Sequence, residues 1–509
     1  MIYFHTNFFF LLITLFHKWH SYAVLPFKSF NQCNEYNNIK INHNVNNPSD
    51  SFVHNCLTNK IYTEMDIGIP KQTVNILLSM KGSSFYLLER FCPNEIMTFY
   101  NPNNSNTFKN NSFCTNNFNN ILSICDIKEK ITFYNDITLK SNISINDTNI
   151  AFGKGLPNYL KNDHSENICG FIGFSLMNKD ISNLLNRFLL LLKFFKVIKE
   201  YTWTFHFFDK NNKNDIFYKI NNKNDNHEGL FIIGILPHEY DAQIFNKTNY
   251  KSALNENRGY TSKWDLKFFE IFCLDQSNNR IKINDDFQGE LDIETNYIIS
   301  TKEYYDLIKN IFFKEYFNKG ICVNNTVEVG KNFYSMSNNF YEVISCDINN
   351  FSEKERKNFP SLNFFHLKYN FTFTFEYKEL FKNIYNRTFF LISTSKNNEK
   401  YWSFGKLFMK KYQFVFDTDK KTISFYRKKK YDIIGLNKSS KVKNYIIIFL
   451  VSILLSILFG IFIGKRIYKR KKKIVSEMSD DFEYKSADCN SNKNRKVEQN
   501  IEMNSKLVF

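Results

Sequence analysis

The chain has 509 residues, 43% of them apolar, which is enough for a sizeable core and for more than one ordinary domain. Its formal charge is +17, but the densest basic runs, 427–430 and 465–473, flank one apolar segment, and no zinc-finger spacing, aromatic RNA-binding signature or helix-turn-helix pattern accompanies them. A membrane is therefore the expected partner and nucleic acid is not.

The elements follow in chain order. Phe8 to Phe16 is an apolar run too short to span a bilayer, and Ser21-Tyr22-Ala23 after it is a small-x-small site. Together they read as a signal peptide, 1–23, cut after Ala23, although the segment before the run lacks Lys and Arg and an uncleaved anchor is the alternative. An N-terminal segment, 24–60, comes next. From Ile61 to Tyr426 short β-branched and aromatic runs alternate with Asn, Asp, Ser and Lys clusters, which predicts strands such as Thr73 to Leu78, Ile131 to Leu139, Gly229 to Ile235 and Thr372 to Tyr377.

Apolar residues at helical spacing predict a helix from Ile181 to Tyr201 and a second from Tyr304 to Phe317. Lys210 to His227 reads as a surface loop, and the sequence shows no internal repeat. Tyr445 to Gly464 is free of charge and has about the 20 residues that a helix needs to cross a bilayer. The lysines and arginines from Lys465 to Lys473 put the following tail, 465–509, in the cytosol, and the ectodomain in the lumen or outside, as a type I protein of the secretory pathway or cell surface.

Nine cysteines precede the span, an odd number, so at least one thiol is unpaired within the chain. Cys92–Cys114 and Cys322–Cys346 each close a modest loop and are the preferred disulfides, with Cys33–Cys56 possible. None has metal-ligand spacing with His, so no metal is expected. Ten Asn-x-Ser/Thr sequons, from Asn103 to Asn437, permit glycosylation, a number that the abundance of Asn makes near chance.

Several segments match a known family in order. Ile61 to Leu87 contains Gly68, Pro70 and Gln72, then an apolar strand, then Gly82-Ser83-Ser84. Asn101-Pro102 and Ser105-Asn106-Thr107-Phe108 follow, then Gly170-Phe171-Ile172-Gly173 and Gly229 to Gly234. Trp264-Asp265-Leu266 comes next, and Trp402 to Tyr412 with Val415-Phe416-Asp417 and Ile423-Ser424-Phe425 closes the series. This series resembles the pepsin-like aspartic proteases over roughly Ile61 to Tyr426. The resemblance implies an all-β, bilobal fold, two β-rich lobes at 61–245 and 246–430 flanking a cleft, with one C-terminal transmembrane helix added.

The family's chemistry needs two carboxylates that share a proton and hold a water, and no cofactor. By the resemblance, Met80 stands where the first catalytic Asp would be, with Lys81 at the Thr position and Gly82, Ser83 and Ser84 retained. Asp292 stands at the second catalytic position, with Ile293 replacing Thr or Ser and Glu294 replacing Gly. Tyr134 or Phe133 falls near the tyrosine of the family's flap.

Methionine cannot exchange a proton, so the resemblance implies an inactive homologue that binds a peptide or protein in its cleft. The alternatives are an active, divergent endopeptidase and an adhesion or receptor-like ectodomain of another fold. A contact from Lys81 to Asp292 or Glu294 is the expected replacement for the bonds of the lost dyad.

Overall fold

The computed structural model describes residues 22–29, 60–88 save 81 and 83, 100–117, 122–154, 168–176, 187–208, 220, 227–255 save 243, 263–329 save 275–278, 339–396 save 385, 402–426 and 463–470. Residues 1–429 form one compact unit and 430–509 a second. In the second unit the described residues are the helical 463–470, the start of the basic stretch. The expected span at 445–464 lies almost wholly outside the described residues, as does most of the signal segment; no helix among the described residues is long and apolar enough to cross a membrane.

The first unit is mostly β, as expected, and is built on a thirteen-stranded and a ten-stranded sheet. Strands alternate buried and exposed residues where one face meets solvent, as in Ile61–Ile67, and are buried throughout where both faces are covered, as in Gly229–Ile233 and Gln413–Asp417. The larger sheet takes in three strands of the expected second lobe, one from its start and two from its end. Tyr250–Leu254, Thr422–Tyr426 and Gln413–Asp417 pair in that order onto Thr202–Phe207, so the sheet bridges the boundary at 245/246.

Ala23–Ser29 also joins this sheet, between Gly229–Ile233 and Ile61–Ile67. Pro26 within it has no amide hydrogen, which lowers the strand signal of the sequence, but its carbonyl accepts from Thr63 Oγ1 at 2.8 Å. Ala23, the expected last residue of the signal peptide, pairs with Ile233 and is fully buried.

The predicted strands at Thr73, Gly229 and Thr372 are present as Gln72–Ser79, Gly229–Ile233 and Phe371–Phe375. The run predicted to Leu139 stops at Tyr134, because a turn in which Asn135 N donates to Ser141 O at 3.1 Å, with Leu139 at φ +56°, leads the chain back into Asn142–Lys154. The predicted helix at Tyr304 runs as Lys302–Ile308, a wide turn at Lys309–Phe313, and Lys314–Asn318, capped by Thr301 Oγ1, which accepts from Tyr304 N at 3.4 Å. Of the helix predicted from Ile181, Phe188–Phe194 is described and buries Phe188, Leu189, Leu191 and Leu192.

One local topology occurs twice, although the sequence shows no repeat. In the first half Gln72–Ser79 runs parallel to Ile168–Gly173, which pairs antiparallel with Phe85–Leu88. In the second half Arg280–Leu291 runs parallel to Trp402–Phe404, which pairs antiparallel with Ile298–Ser300. Ser79 opposes Gly173 as Leu291 opposes Phe404, so Met80 and Asp292 are equivalent, each the first residue past its parallel strand. Phe85 opposes Ile172 as Ile299 opposes Ser403, which makes the loop five positions long after Met80 and seven after Asp292.

Candidate functional site

The two loops meet. Ser79 Oγ donates to Glu294, a side-chain contact across the two halves of the chain. Asp292 is buried, its own N–H donates to Phe404 O at 2.9 Å, and its Oδ1 accepts from Glu294 N at 3.0 Å. That last bond curls the loop back on the carboxylate and fixes its rotamer. Met80 is 3% exposed and belongs to the main hydrophobic core, as does Ile293. Gly82 takes φ +71°, a region that favours glycine, and its carbonyl accepts from Ser175 N at 2.8 Å.

Around this pair the threading is tight. Phe174 N donates to Ser79 O at 2.9 Å, and Trp264 Nε1 from the second half donates to Phe174 O at 2.7 Å. Lys406 N donates to Thr295 O at 2.6 Å, the counterpart of the Ser175 bond. Gly405 sits where a Cβ would lie 2.3 Å from Tyr297 O and 2.5 Å from Thr295 O. Gly405→Ala is therefore expected to force both backbones apart and lower stability by about 2–3 kcal/mol, read as a lower urea midpoint. An unchanged midpoint would show that the loop after Asp292 yields freely.

The motif pieces in the first half, some thirty residues apart in sequence, form one packed unit. Gln72 Nε2 donates to Asn101 O at 2.9 Å while Asn101 N donates to Gln72 Oε1 at 2.7 Å. Gly68, at φ +81°, leaves room for Ser105, whose Oγ would lie 2.6 Å from a Cβ there. Glu129, which sequence reading did not single out, is fully buried, and its carboxylate accepts from Tyr100 Oη, from Thr107 Oγ1 and, at 2.8 Å, from Lys130 N. It pins the segment Tyr100 to Thr107 onto the strand Leu122–Tyr134; a lone Glu in a strand carries no signal for this.

The remaining candidates are placed as follows. Lys81 and Ser83 lie outside the described residues, so the cross-half contact shown is that of Ser79 with Glu294. Ser84 is described, and its carbonyl accepts from Gly173 N at 3.1 Å. Phe133 is buried in the core against Phe188, and Tyr134 packs against the satellite cluster that contains Val24 and Leu230.

Cys322 and Cys346 oppose one another in adjacent strands and are disulfide-bonded, as expected. Cys92 and the Cys114 side chain lie outside the described residues, while the backbone register sets Cys114 opposite Cys125. Cys169 and Cys273 are buried thiols, pushed by burial to about 11 and about 12 respectively, which keeps them protonated and poorly nucleophilic.

A second polar cluster ties the N-terminal strand to the second half of the chain. Lys406 Nζ donates to Glu228 Oε2 at 2.6 Å and also contacts Ser29 Oγ, and Ser29 Oγ donates to the same carboxylate oxygen at 2.6 Å. The Lys406 side chain is 7% exposed and that of Glu228 28%. Burial raises the Glu228 carboxyl, but the nearby ammonium of Lys406 more than offsets this and holds it below its ordinary range. Desolvation dominates at Lys406 and lowers its ammonium despite Glu228, with Lys410 and Lys382 pushing the same way. The two directions describe one charged pair whose burial costs about as much as its attraction returns.

No protein-family model matches the chain, and no curated protein matches it.

Proposed function

We propose that the chain is a membrane-anchored homologue of the pepsin-like aspartic peptidases that does not cleave peptides and acts by binding a peptide or protein in the cleft between its lobes. The observation that carries this reading is the pair of equivalent loop positions, one held by the buried Met80 and the other by Asp292. A twofold arrangement of loops with one carboxylate fits a peptidase scaffold whose proton-sharing dyad has been dismantled. A single carboxylate can accept a proton, but it has no partner at Met80 to donate one to the scissile carbonyl. The contact of Ser79 with Glu294 supports the same reading, since it closes the two loops on one another where a dyad would hold water.

The purified protein is expected to show no cleavage of a peptide library between pH 3 and pH 6 that a transition-state-mimic inhibitor abolishes. Inhibitor-sensitive cleavage would favour the second reading, an active divergent endopeptidase. That reading draws on one observation: Asp292 is still held by the Glu294 N–H in a fixed conformation.

A further inference from the structure

The helix Phe188–Phe194 ends in a closure that turns aromatic surface outward. Val197 N donates to Leu192 O at 2.8 Å and Lys196 N to Lys193 O at 3.0 Å, a double closure whose turn residue is most often glycine. Here it is Lys196, at φ +57°. Val197 and Ile198 return to the core, whereas Phe194 is left 78% exposed and Phe195 36% exposed. Their rings meet edge to face at 5.2 Å and form one apolar knob.

Lys193, Lys196 and Lys199 bracket the knob. Lys193 Nζ is held by Lys199 O and lies 5.5 Å from the Tyr201 ring centre, so this side of the bracket is ordered. Among the described residues, Glu200 follows Lys199 in sequence and acts on Lys420, and Asp419 acts on Tyr201. Three lysines and Lys420 outweigh these two carboxylates.

From this geometry we infer that the knob is a docking point for an anionic lipid surface. Two adjacent Phe side chains fit the boundary between headgroups and acyl chains. Lysine stems lie along that boundary while their ammonium groups reach the phosphates. The charge complementarity selects an anionic bilayer over a neutral one. The inference does not need the expected membrane span, because the knob lies wholly within residues 188–199.

The test uses the full chain carrying Phe194→Trp, with vesicles of phosphatidylcholine and phosphatidylserine whose acyl chains are brominated. Trp203, Trp264 and Trp402 are fully buried and the fourth tryptophan, Trp19, is common to both chains, so subtracting the signal of the unsubstituted chain isolates the added indole. Its fluorescence is expected to be quenched and blue-shifted on the mixed vesicles, and several-fold less so on phosphatidylcholine alone. Lys196→Asn with Lys199→Gln, where Asn tolerates the left-handed turn, is expected to reduce quenching on mixed vesicles to the level of the neutral ones. Phe340→Trp, at an exposed position opposite Glu328, is the control and should stay unquenched. Quenching at position 194 no greater than at position 340, or unaffected by both phosphatidylserine and the lysine changes, would overturn the inference. Vesicle flotation of the unsubstituted chain reports the membrane anchor separately.

Discussion

Replacing Glu228 with glutamine is expected to lower stability by about 3–5 kcal/mol at neutral pH, because it leaves the buried Lys406 ammonium without its counter-charge. Lys382 and Lys410 add like charge around it, which raises the cost of leaving it unpaired. Lys406→Met is the milder change, about 2–3 kcal/mol, since Glu228 keeps the Ser29 hydroxyl and is partly in contact with water. The double change should recover most of the loss, because it removes both charges together and leaves no buried ion unpaired. A positive coupling in the double-mutant cycle, read from urea unfolding, tests this.

The pH dependence has a definite sign. The folded carboxyl of Glu228 is lowered, so its contribution is complete above the unfolded value of about 4.3 and is lost as pH falls through the folded one. The wild-type chain should therefore lose stability on acidification below about pH 4.3 more steeply than Glu228→Gln does. Parallel acid limbs would show that the pair carries none of the acid sensitivity. The end of the N-terminal strand would then be held by its backbone pairing and the Ser29 contacts alone.

What the sequence made legible is what depends on local chemistry. Gly68, Gln72 and Ser105 were marked by a linear pattern, and the structure supplies its reason in a glycine-shaped gap and a reciprocal amide bond. The Cys322–Cys346 pair was legible because its loop is short. The strand Ala23–Ser29 was not: Pro26 breaks its pattern, and it adjoins a segment that reads as a leader. The twofold topology leaves no internal repeat in the sequence, and only the family resemblance put Met80 and Asp292 at corresponding positions, since Ser79-Met80-Lys81-Gly82 and Leu291-Asp292-Ile293-Glu294 share no residue in register, and the second loop is longer. Backbone pairing repeats where the side chains do not. Lys406 shows the converse: a basic residue in a Lys-rich chain reads as surface, yet it is buried on the far side of an ion pair made by residues 178 positions apart.

On the proposed reading, Met80→Asp supplies the carboxylate that the family has at this position, and it is expected to yield no activity. The incoming carboxylate would replace a core side chain that is 3% exposed and would sit beside Ser79, whose hydroxyl already donates to Glu294. Losing the thioether's burial and desolvating a carboxylate together should cost about 3 kcal/mol at pH 7. Burial raises the folded value of the new group above its unfolded value of about 3.9. The ionisation part of the penalty is therefore absent below that value and grows as pH rises from there to the folded value, while the lost thioether burial is felt at every pH.

Urea unfolding at pH 4 and pH 7 should show the variant somewhat weaker than the parent in acid and clearly weaker still at neutrality. A peptidase reading of the same residue expects the opposite in the assay: inhibitor-sensitive cleavage at acid pH, where the variant is best folded. If cleavage appears with this single change, Glu294 and the contact with Ser79 do not obstruct the dyad, and the loops have kept their catalytic spacing. If it appears only when Glu294→Gly accompanies Met80→Asp, the obstruction lies in that contact, and the two-residue excess of the second loop is compatible with chemistry. Continued silence of the double variant, folded at pH 4, would place the obstruction in the length of that loop or in Lys81 and Ile293 rather than in the contact of Glu294 with Ser79.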